Sequence, residues 1–339
     1  MTLRRRTNRI LRALLGAAAV AAALVASTLV WYATAEFPAV ALPLQFSIKP
    51  GSSLRGATQE MERAGALRRP ELFVLMARLL GVARNVKAGN YELVEPVTPY
   101  RLLQKIVAGD VTQAAIKFVE GSTFRQMRAT LDEHPDLAHT TRGLADEEIL
   151  QRLGIQEPSA EGLFFPDTYY FASGSSDLRV LARAYRLLQS HLDARWAARA
   201  SDLPFATPYE ALILASIVEK ETGKEEERPL IAAVFINRLR KGMLLQADPT
   251  VIYGLGERFD GNLRKRDLLA DASYNTYTRV GLPPTPIAMP GLASLTATLN
   301  PPASEALYFV SRGDGSSHFS STLGEHERAV TKYQRSGRR

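Results

Sequence analysis

At 339 residues the chain is long enough for about two domains, each with its own core. Apolar residues make up 46% and charged residues 23%, which excludes a disordered or fibrous protein. Cysteine is absent, so a disulfide framework, a zinc–cysteine site, an iron–sulfur cluster and a thiol nucleophile are excluded too. The net charge of +7 gathers at the ends: Arg4, Arg5, Arg6, Arg9 and Arg12 open the chain, and Arg335, Arg338 and Arg339 lie in a polar tail. The 304 residues after Ala35 hold 37 basic and 35 acidic side chains, without the basic stripe that nucleic acid requires.

From Ala13 to Ala35, 23 consecutive residues carry no charge. About 20 apolar residues span the hydrocarbon core of a bilayer as a helix. Trp31 and Tyr32 stand near the far end, where aromatic rings favour the interface, and the arginines lie only on the near side. The positive-inside rule therefore leaves the N-terminus in the cytoplasm and the body outside. Ala33-Thr34-Ala35 also matches a signal-peptide cleavage site. The apolar run exceeds the usual signal core of about 7–15 residues, which favours an uncleaved anchor. Both readings export the body.

After a linker from Phe37 to Pro43, the pattern predicts a small α+β domain, with 37–115 as its span and 1–36 as the cytoplasmic end and anchor. Leu44 to Ile48 alternates like a strand, followed by a turn at Lys49-Pro50-Gly51-Ser52. Helices are predicted over roughly 53–64 and 70–81, a strand over Asn90–Val94, and a helix from Pro99 to Gly109 with Leu102, Leu103 and Ile106 on one face. Ala114–Val119 reads as a further strand. The opening Phe46-Ser47-Ile48-Lys49-Pro50-Gly51-Ser52-Ser53-Leu54 resembles the start of a LysM carbohydrate-binding module, and equally fits any strand–turn–helix start.

Residues 116–339 read as a mostly helical domain, including a long amphipathic helix over 177–200. His191 within it reads as a packed or surface histidine. His134, His139, His191, His318 and His326 never form H-E-x-x-H or a similar metal pair. A phosphate-binding G-x-x-x-x-G-K-[ST], a G-x-S-x-G elbow and a dinucleotide-binding glycine run are absent. No cofactor is expected.

The informative stretch runs from Thr207 to Gly223. Thr207, Pro208 and Glu210 form a helix start with a capping box, Ala211 to Val218 is apolar on every side, and Gly223 fits the helix end. The last turn abruptly presents Glu219, Lys220 and Glu221. A carboxyl group there faces the negative end of the helix dipole and a buried apolar body, and both favour its protonated form. That is what a general acid for glycosidic cleavage needs. Solvated charges on a fraying helix end, paired with Lys224 or Arg228, fit the same residues.

Ile217-Val218-Glu219-Lys220-Glu221-Thr222 resembles the helix of lytic transglycosylases and goose-type lysozymes, where a catalytic Glu precedes Ser or Thr. The blocks Glu161–Tyr169, Val234–Leu239, Leu245–Gly254, Tyr274–Tyr277 and Gly281–Pro284 are similar, in the same order, to the membrane-bound endolytic murein transglycosylases (MltG or YceG-like). The resemblance runs from the anchor to Phe319 and implies a lysozyme-like catalytic domain. It implies Glu221 as the catalytic residue, and a two-residue step turns Glu219 about 200° away, as a structural or pKa-tuning partner.

The implied reaction cuts the MurNAc-β-1,4-GlcNAc bond of nascent peptidoglycan strands without water. Glu221 protonates the bridging oxygen and then takes the proton of the C6 hydroxyl, which closes a 1,6-anhydro ring. Gln246, Asp248, Tyr274, Asn275, Tyr277 and Glu161 are candidates to bind the sugar or support the site. Asp248 also reads as an N-cap, Asn237 as a buried hydrogen-bonding residue, and Glu161 and Asp167 as cleft or loop residues. Tyr169 and Tyr170 are expected to pack. The resemblance further implies a single-pass protein of the cell inner membrane with a periplasmic catalytic domain. Its implied partners are glycan strands, peptidoglycan polymerases and divisome or elongasome proteins. A hydrolytic muramidase, with a second carboxyl such as Asp248 or Glu219, and a non-catalytic cell-wall-binding scaffold are the competing readings.

Overall fold

The computed structural model describes residues 2–36, 42, 44–49, 51–111, 113–221 and 224–335. Linker residues 37–41 and 43, Pro50, Thr222, the expected helix-ending Gly223, and the tail residues Arg338 and Arg339 lie outside the described residues. The chain divides into two compact units, Met1–Ala114 with Tyr170–Ser175, and Ala115–Tyr169 with Ser176–Arg339. Expected secondary structure in the first part is close to what is found: helix α1 (Thr2–Thr34), strand β1 (Leu44–Ile48), helices α2 (Leu54–Arg63) and α3 (Pro70–Leu79), strand β2 (Gly89–Leu93) and helix α4 (Pro99–Ala108).

The alternation in β1 places Leu44, Phe46 and Ile48 in the core of the small unit and leaves Gln45 and Ser47 outside. β1 pairs antiparallel with β2, Phe46 opposite Tyr91, their rings stacked at 5.3 Å. Met61 of α2, Phe73 of α3, and Leu102, Leu103 and Ile106 of α4 complete the core. Ser53 and Thr98 cap α2 and α4 by accepting the amides of Gly56 and Arg101. Gly109 ends α4 at φ +75°, a conformation that favours glycine.

Leu14–Thr34 within α1 has a mean hydropathy of 2.1 and is long enough to cross a membrane. Residues 14–28 are all exposed. Of the two aromatic residues expected at the interface, Trp31 is 57% exposed, whereas Tyr32 is fully buried in the core of the small unit. Its hydroxyl donates to the carbonyls of Arg68 (2.7 Å) and Arg69 (3.3 Å). The ring fills an apolar site while its polar tip reaches the backbone of a turn, and this outweighs a place among headgroups. A chain cleaved after Ala35 would lose this ring from the core of the small unit.

The second part continues through β3 (Gln113–Lys117), α5 (Phe124–Glu133), β4 (Leu137–Ala138), α6 (Asp146–Leu153), β5 (Thr168–Ala172), β6 (Ser175–Ser176), α7 (Asp177–Ala197), α8 (Pro208–Glu221), α9 (Arg228–Arg240), α10 (Asp248–Leu255), α11 (Lys265–Leu269), α12 (Leu292–Leu299), β7 (Tyr308–Ser311), β8 (Ser317–Ser320) and α13 (Leu323–Val330). The boundaries between the units fall within β3, β5 and β6. Helices are the main regular elements of the large unit, covering about half of it rather than most, and it also contains an antiparallel hairpin, β7 with β8. Its four-residue strands are too short for alternation to be read from the sequence. Tyr169 packs, but Tyr170 is 60% exposed, because neighbours along a strand face opposite ways. His191 lies in α7 with its ring 4.5 Å from that of Phe165.

Helix α8 organises the large unit. Thr207 accepts the Glu210 amide at 3.3 Å, and the Glu210 carboxylate takes the amide of Ala206 rather than that of Thr207. Every residue from Ala211 to Val218 is buried, against α9, α12, α7 and α10. The one polar side chain in that run, Ser216, donates to the Ile213 carbonyl (2.7 Å) and accepts the Ile287 amide (3.0 Å).

Replacing Tyr32 with Ala should lower the stability of the small unit by about 3–5 kcal/mol, as for other large buried rings. Tyr32→Phe should cost only about 1 kcal/mol, the net worth of the hydroxyl bond. Thermal unfolding of both variants in detergent micelles checks this, and equal small effects would contradict the packing.

Candidate active site

Glu219 and Glu221 end α8 and diverge. Glu219 turns to the N-terminus of α12, where one carboxylate oxygen accepts the Gly291 amide (2.9 Å) and the Ser294 hydroxyl (2.7 Å). The other oxygen meets Arg228 of α9 at 3.4 Å, both side chains being largely buried. Gly291 has no side chain to cap α12, so Glu219 supplies the negative charge that a helix N-terminus favours. The residue thus ties three helices together.

Glu221 instead lines an open cleft of about 400 Å³. Gln246, Asp248 and Tyr277 line the same cleft, with Arg238, Phe309, Ser311 and His326. Glu221 is half-buried, and its carboxyl group is raised to about 7. Burial is the main cause; the Asp248 charge raises it further, and the Arg238 guanidinium opposes the shift. The charge that tunes Glu221 is therefore that of Asp248, not Glu219.

Asp248 is the first residue of α10 rather than its N-cap. The capping position is Ala247, and the Asp248 carboxylate accepts the Tyr277 hydroxyl instead. Gln246 stands just before it at φ +51°, unusual for a residue other than glycine. Its amide donates to the Thr276 carbonyl (3.0 Å), and the Ala247 amide donates to the Thr276 hydroxyl (3.0 Å). The loop before α10 is clamped in this way onto the 275–277 turn, which brings Gln246, Asp248 and Tyr277 together.

The other candidates lie outside this cleft. Asn275 is 2% exposed and spends its amide group on the carbonyls of Asp267, Leu268 and Ala270, while its side-chain oxygen accepts the Tyr277 amide. It shapes the turn that presents Tyr277. Tyr274 packs its ring 4.9 Å from that of Tyr253 and bonds Thr285 through its hydroxyl (2.7 Å). Glu161 is buried: it accepts the Phe124 amide at the start of α5 (2.9 Å) and the Tyr253 hydroxyl (3.2 Å). Asp167 is exposed and bonds the Thr168 amide. Asn237, as expected, donates to the carbonyls of Ser304 and Ala306.

Arg238 is the main lining residue that sequence reasoning did not single out. Only 7% exposed, it donates to the carbonyls of Leu307 and Leu245, both at 2.7 Å, and joins α9 to two walls of the cleft. A charge inside the apolar run from Ile231 to Leu239 was the available signal. Phe309, Ser311 and His326 come from the C-terminal hairpin and α13, and nothing in their local sequence links them to Glu221. The His326 ring stacks on Tyr308 at 5.1 Å, and burial together with Arg238 holds it below the usual imidazole range.

A half-buried carboxyl group poised near neutrality in an open polar cleft is chemically able both to give and to take a proton. The model of the YceG-like family matches residues 46–332. The endolytic murein transglycosylase of Bacillus subtilis is 30% identical over 308 residues, which is 86% of this chain and 84% of that protein. The endolytic murein transglycosylase of Streptococcus pneumoniae is 26% identical, across 84% of this chain and 57% of that longer protein. A crystal structure of a yceG-like protein from Listeria monocytogenes shares the fold with a TM-score of 0.50 and 27% identity, covering 84% of this chain and 98% of that one. The chain belongs to the YceG-like family.

Glu161 gives the site's surroundings a pH signature. Burial raises its carboxyl to about 7, although bonds from Phe124 and Tyr253 favour the charged form. The folded state therefore holds this proton where the unfolded chain releases it. Its contribution to stability is present below about pH 4.5 and is lost as pH rises through about 7, on the order of 3 kcal/mol in all. Chemical denaturation of Glu161→Gln across this range should show a correspondingly shallower loss than the parent.

Proposed function

We propose that the protein is an endolytic murein lytic transglycosylase, anchored by residues 14–34, with Glu221 as the acid and then the base of a single-residue reaction. The observation that carries this reading is the Glu221 carboxyl in an open cleft, raised to about 7 by burial and Asp248. Near neutrality such a group exists in both forms, so it can give a proton to the glycosidic oxygen and then accept one. The acceptor step takes the proton from the C6 hydroxyl of the same MurNAc as that oxygen attacks C1, and a 1,6-anhydro end results. An intramolecular nucleophile has a high effective concentration, so the protein has only to orient the sugar and limit water. Gln246, Asp248 and Tyr277 are the polar groups available for orientation.

The family membership and the murein transglycosylases among its relatives support peptidoglycan as the substrate class. The LysM-like reading of residues 44–115 is supported by the order β1, α2, α3, β2 and the antiparallel pairing of the two strands. The apolar helix supports a single-pass inner-membrane protein with its body in the periplasm, within reach of peptidoglycan polymerases. A hydrolytic muramidase is the second reading, favoured by Asp248, a second carboxylate in the same cleft.

Mass spectrometry of peptidoglycan digested by the full-length protein in detergent separates the readings. New 1,6-anhydro-MurNAc ends, lost by roughly 10²–10⁴-fold in Glu221→Gln, are the expected result. Reducing MurNAc ends would make the enzyme a hydrolase, and cleavage by neither protein would leave a cell-wall-binding scaffold. The activity, kcat/KM, should fall as pH rises through about 7, because the donating form of Glu221 is lost. Asp248→Asn removes the like charge that raises this pKa, so the alkaline limb should move to lower pH; an unmoved limb would remove Asp248 from the tuning of the acid.

A further inference from the structure

The near-neutral body conceals an uneven distribution of charge. Residues 44–114 hold ten basic and six acidic side chains, whereas residues 115–339 hold 27 basic and 28 acidic. The surplus belongs to the unit that carries the anchor. Arg68 and Arg69 form the turn between α2 and α3, and both side chains are exposed. Among the described residues neither guanidinium pairs with a carboxylate.

The depth of this turn follows from its bond to the anchor. The carbonyls of Arg68 and Arg69 accept the hydroxyl of Tyr32, which lies two residues before the end of the apolar helix at Thr34. Two residues are about 3 Å along a helix axis. Backbone bonded at that level stands at the edge of the hydrocarbon, where the headgroup layer is roughly 5–7 Å deep on each side. The buried Tyr32 ring and its hydroxyl bonds hold the turn beside the end of the apolar helix. Arg69 also holds φ +53° without being glycine, and its side chain makes no bond to cap α3. Among the described residues the Arg69 guanidinium, like that of Arg68, meets no carboxylate and faces the surroundings of the turn.

We propose that the α2–α3 turn is a membrane-contact surface, where Arg68 and Arg69 bind the phosphate groups of anionic phospholipids in the leaflet from which the body emerges. The proposal rests on residues 14–34 spanning the bilayer. The planar guanidinium fork matches a phosphate diester in two-point hydrogen bonding, and its long stem lies easily against acyl chains near the surface. The small unit is then held against the bilayer at two points, the span and the turn, which fixes its orientation as well as its height.

The absence of cysteine makes a spin-label test direct. The full-length protein is reconstituted into phosphatidylcholine nanodiscs with or without phosphatidylglycerol. It carries a nitroxide at Glu71→Cys, an exposed position in the first turn of α3, or at Leu24→Cys within the span. With phosphatidylglycerol present, the label at position 71 should lose several-fold of its accessibility to a water-soluble nickel relaxant. Arg68→Gln with Arg69→Gln should restore that accessibility, and so should about 1 M salt in the unsubstituted turn, where the screening length falls to about 3 Å. Accessibility that ignores lipid charge, salt and the double substitution would overturn the contact surface while leaving the span intact. A label at position 24 as open to the aqueous relaxant as an exposed loop would overturn the span, and the proposal with it.

Discussion

A helix with no polar side until its final turn is the constraint on which the large unit depends. From Ala211 to Val218 every residue of α8 is buried, so four other helices must surround it. Charge can appear only where that enclosure ends, and there two identical side chains meet two different environments. Glu219 finds the N-terminus of α12 and Arg228, which satisfy it fully. Glu221 finds a cleft, apolar backing and a neighbouring carboxylate, so its proton is held near neutrality. A rotation of about 200° between positions two apart separates a strut from a carboxyl group that faces a cleft.

The cleft is shaped by polar groups that are themselves spent on the backbone. Arg238 satisfies the carbonyls of Leu245 and Leu307, and Asn275 draws together the carbonyls of three residues before presenting Tyr277. Buried polar groups are costly unless bonded, so these networks are rigid once formed. The groups left facing the cleft, Gln246, Asp248 and Tyr277, inherit that rigidity. Such fixed surroundings set the proton affinity of Glu221, which depends on the distances to nearby charges.

In the small unit a comparable economy operates at Tyr32. One side chain near the end of a hydrophobic helix fills a position in the core of the small unit and bonds a turn that carries two arginines. The apolar helix and the fold of residues 44–114 consequently belong to one compact unit.

Much of this was legible from residues alone. The period-two pattern of Leu44, Phe46 and Ile48, the caps at Ser53, Thr98 and Thr207, the 23 uncharged residues and the apolar run of α8 are local signals, each complete within a few turns of chain. They determine where helices and strands form, and the family resemblance pointed to Glu221 among the charges that follow. What the residues could not reveal is which side chains share a space. Asp248 reads locally as a helix cap and becomes a neighbour of Glu221; Tyr32 reads as an interfacial aromatic and becomes core. Arg238, Ser311 and His326 join the cleft from segments up to 105 positions beyond Glu221. Periodicity and capping act over a few residues, whereas electrostatic tuning acts through space between elements brought together only by burial; tertiary structure alone decided which of these charges became the environment of the acid.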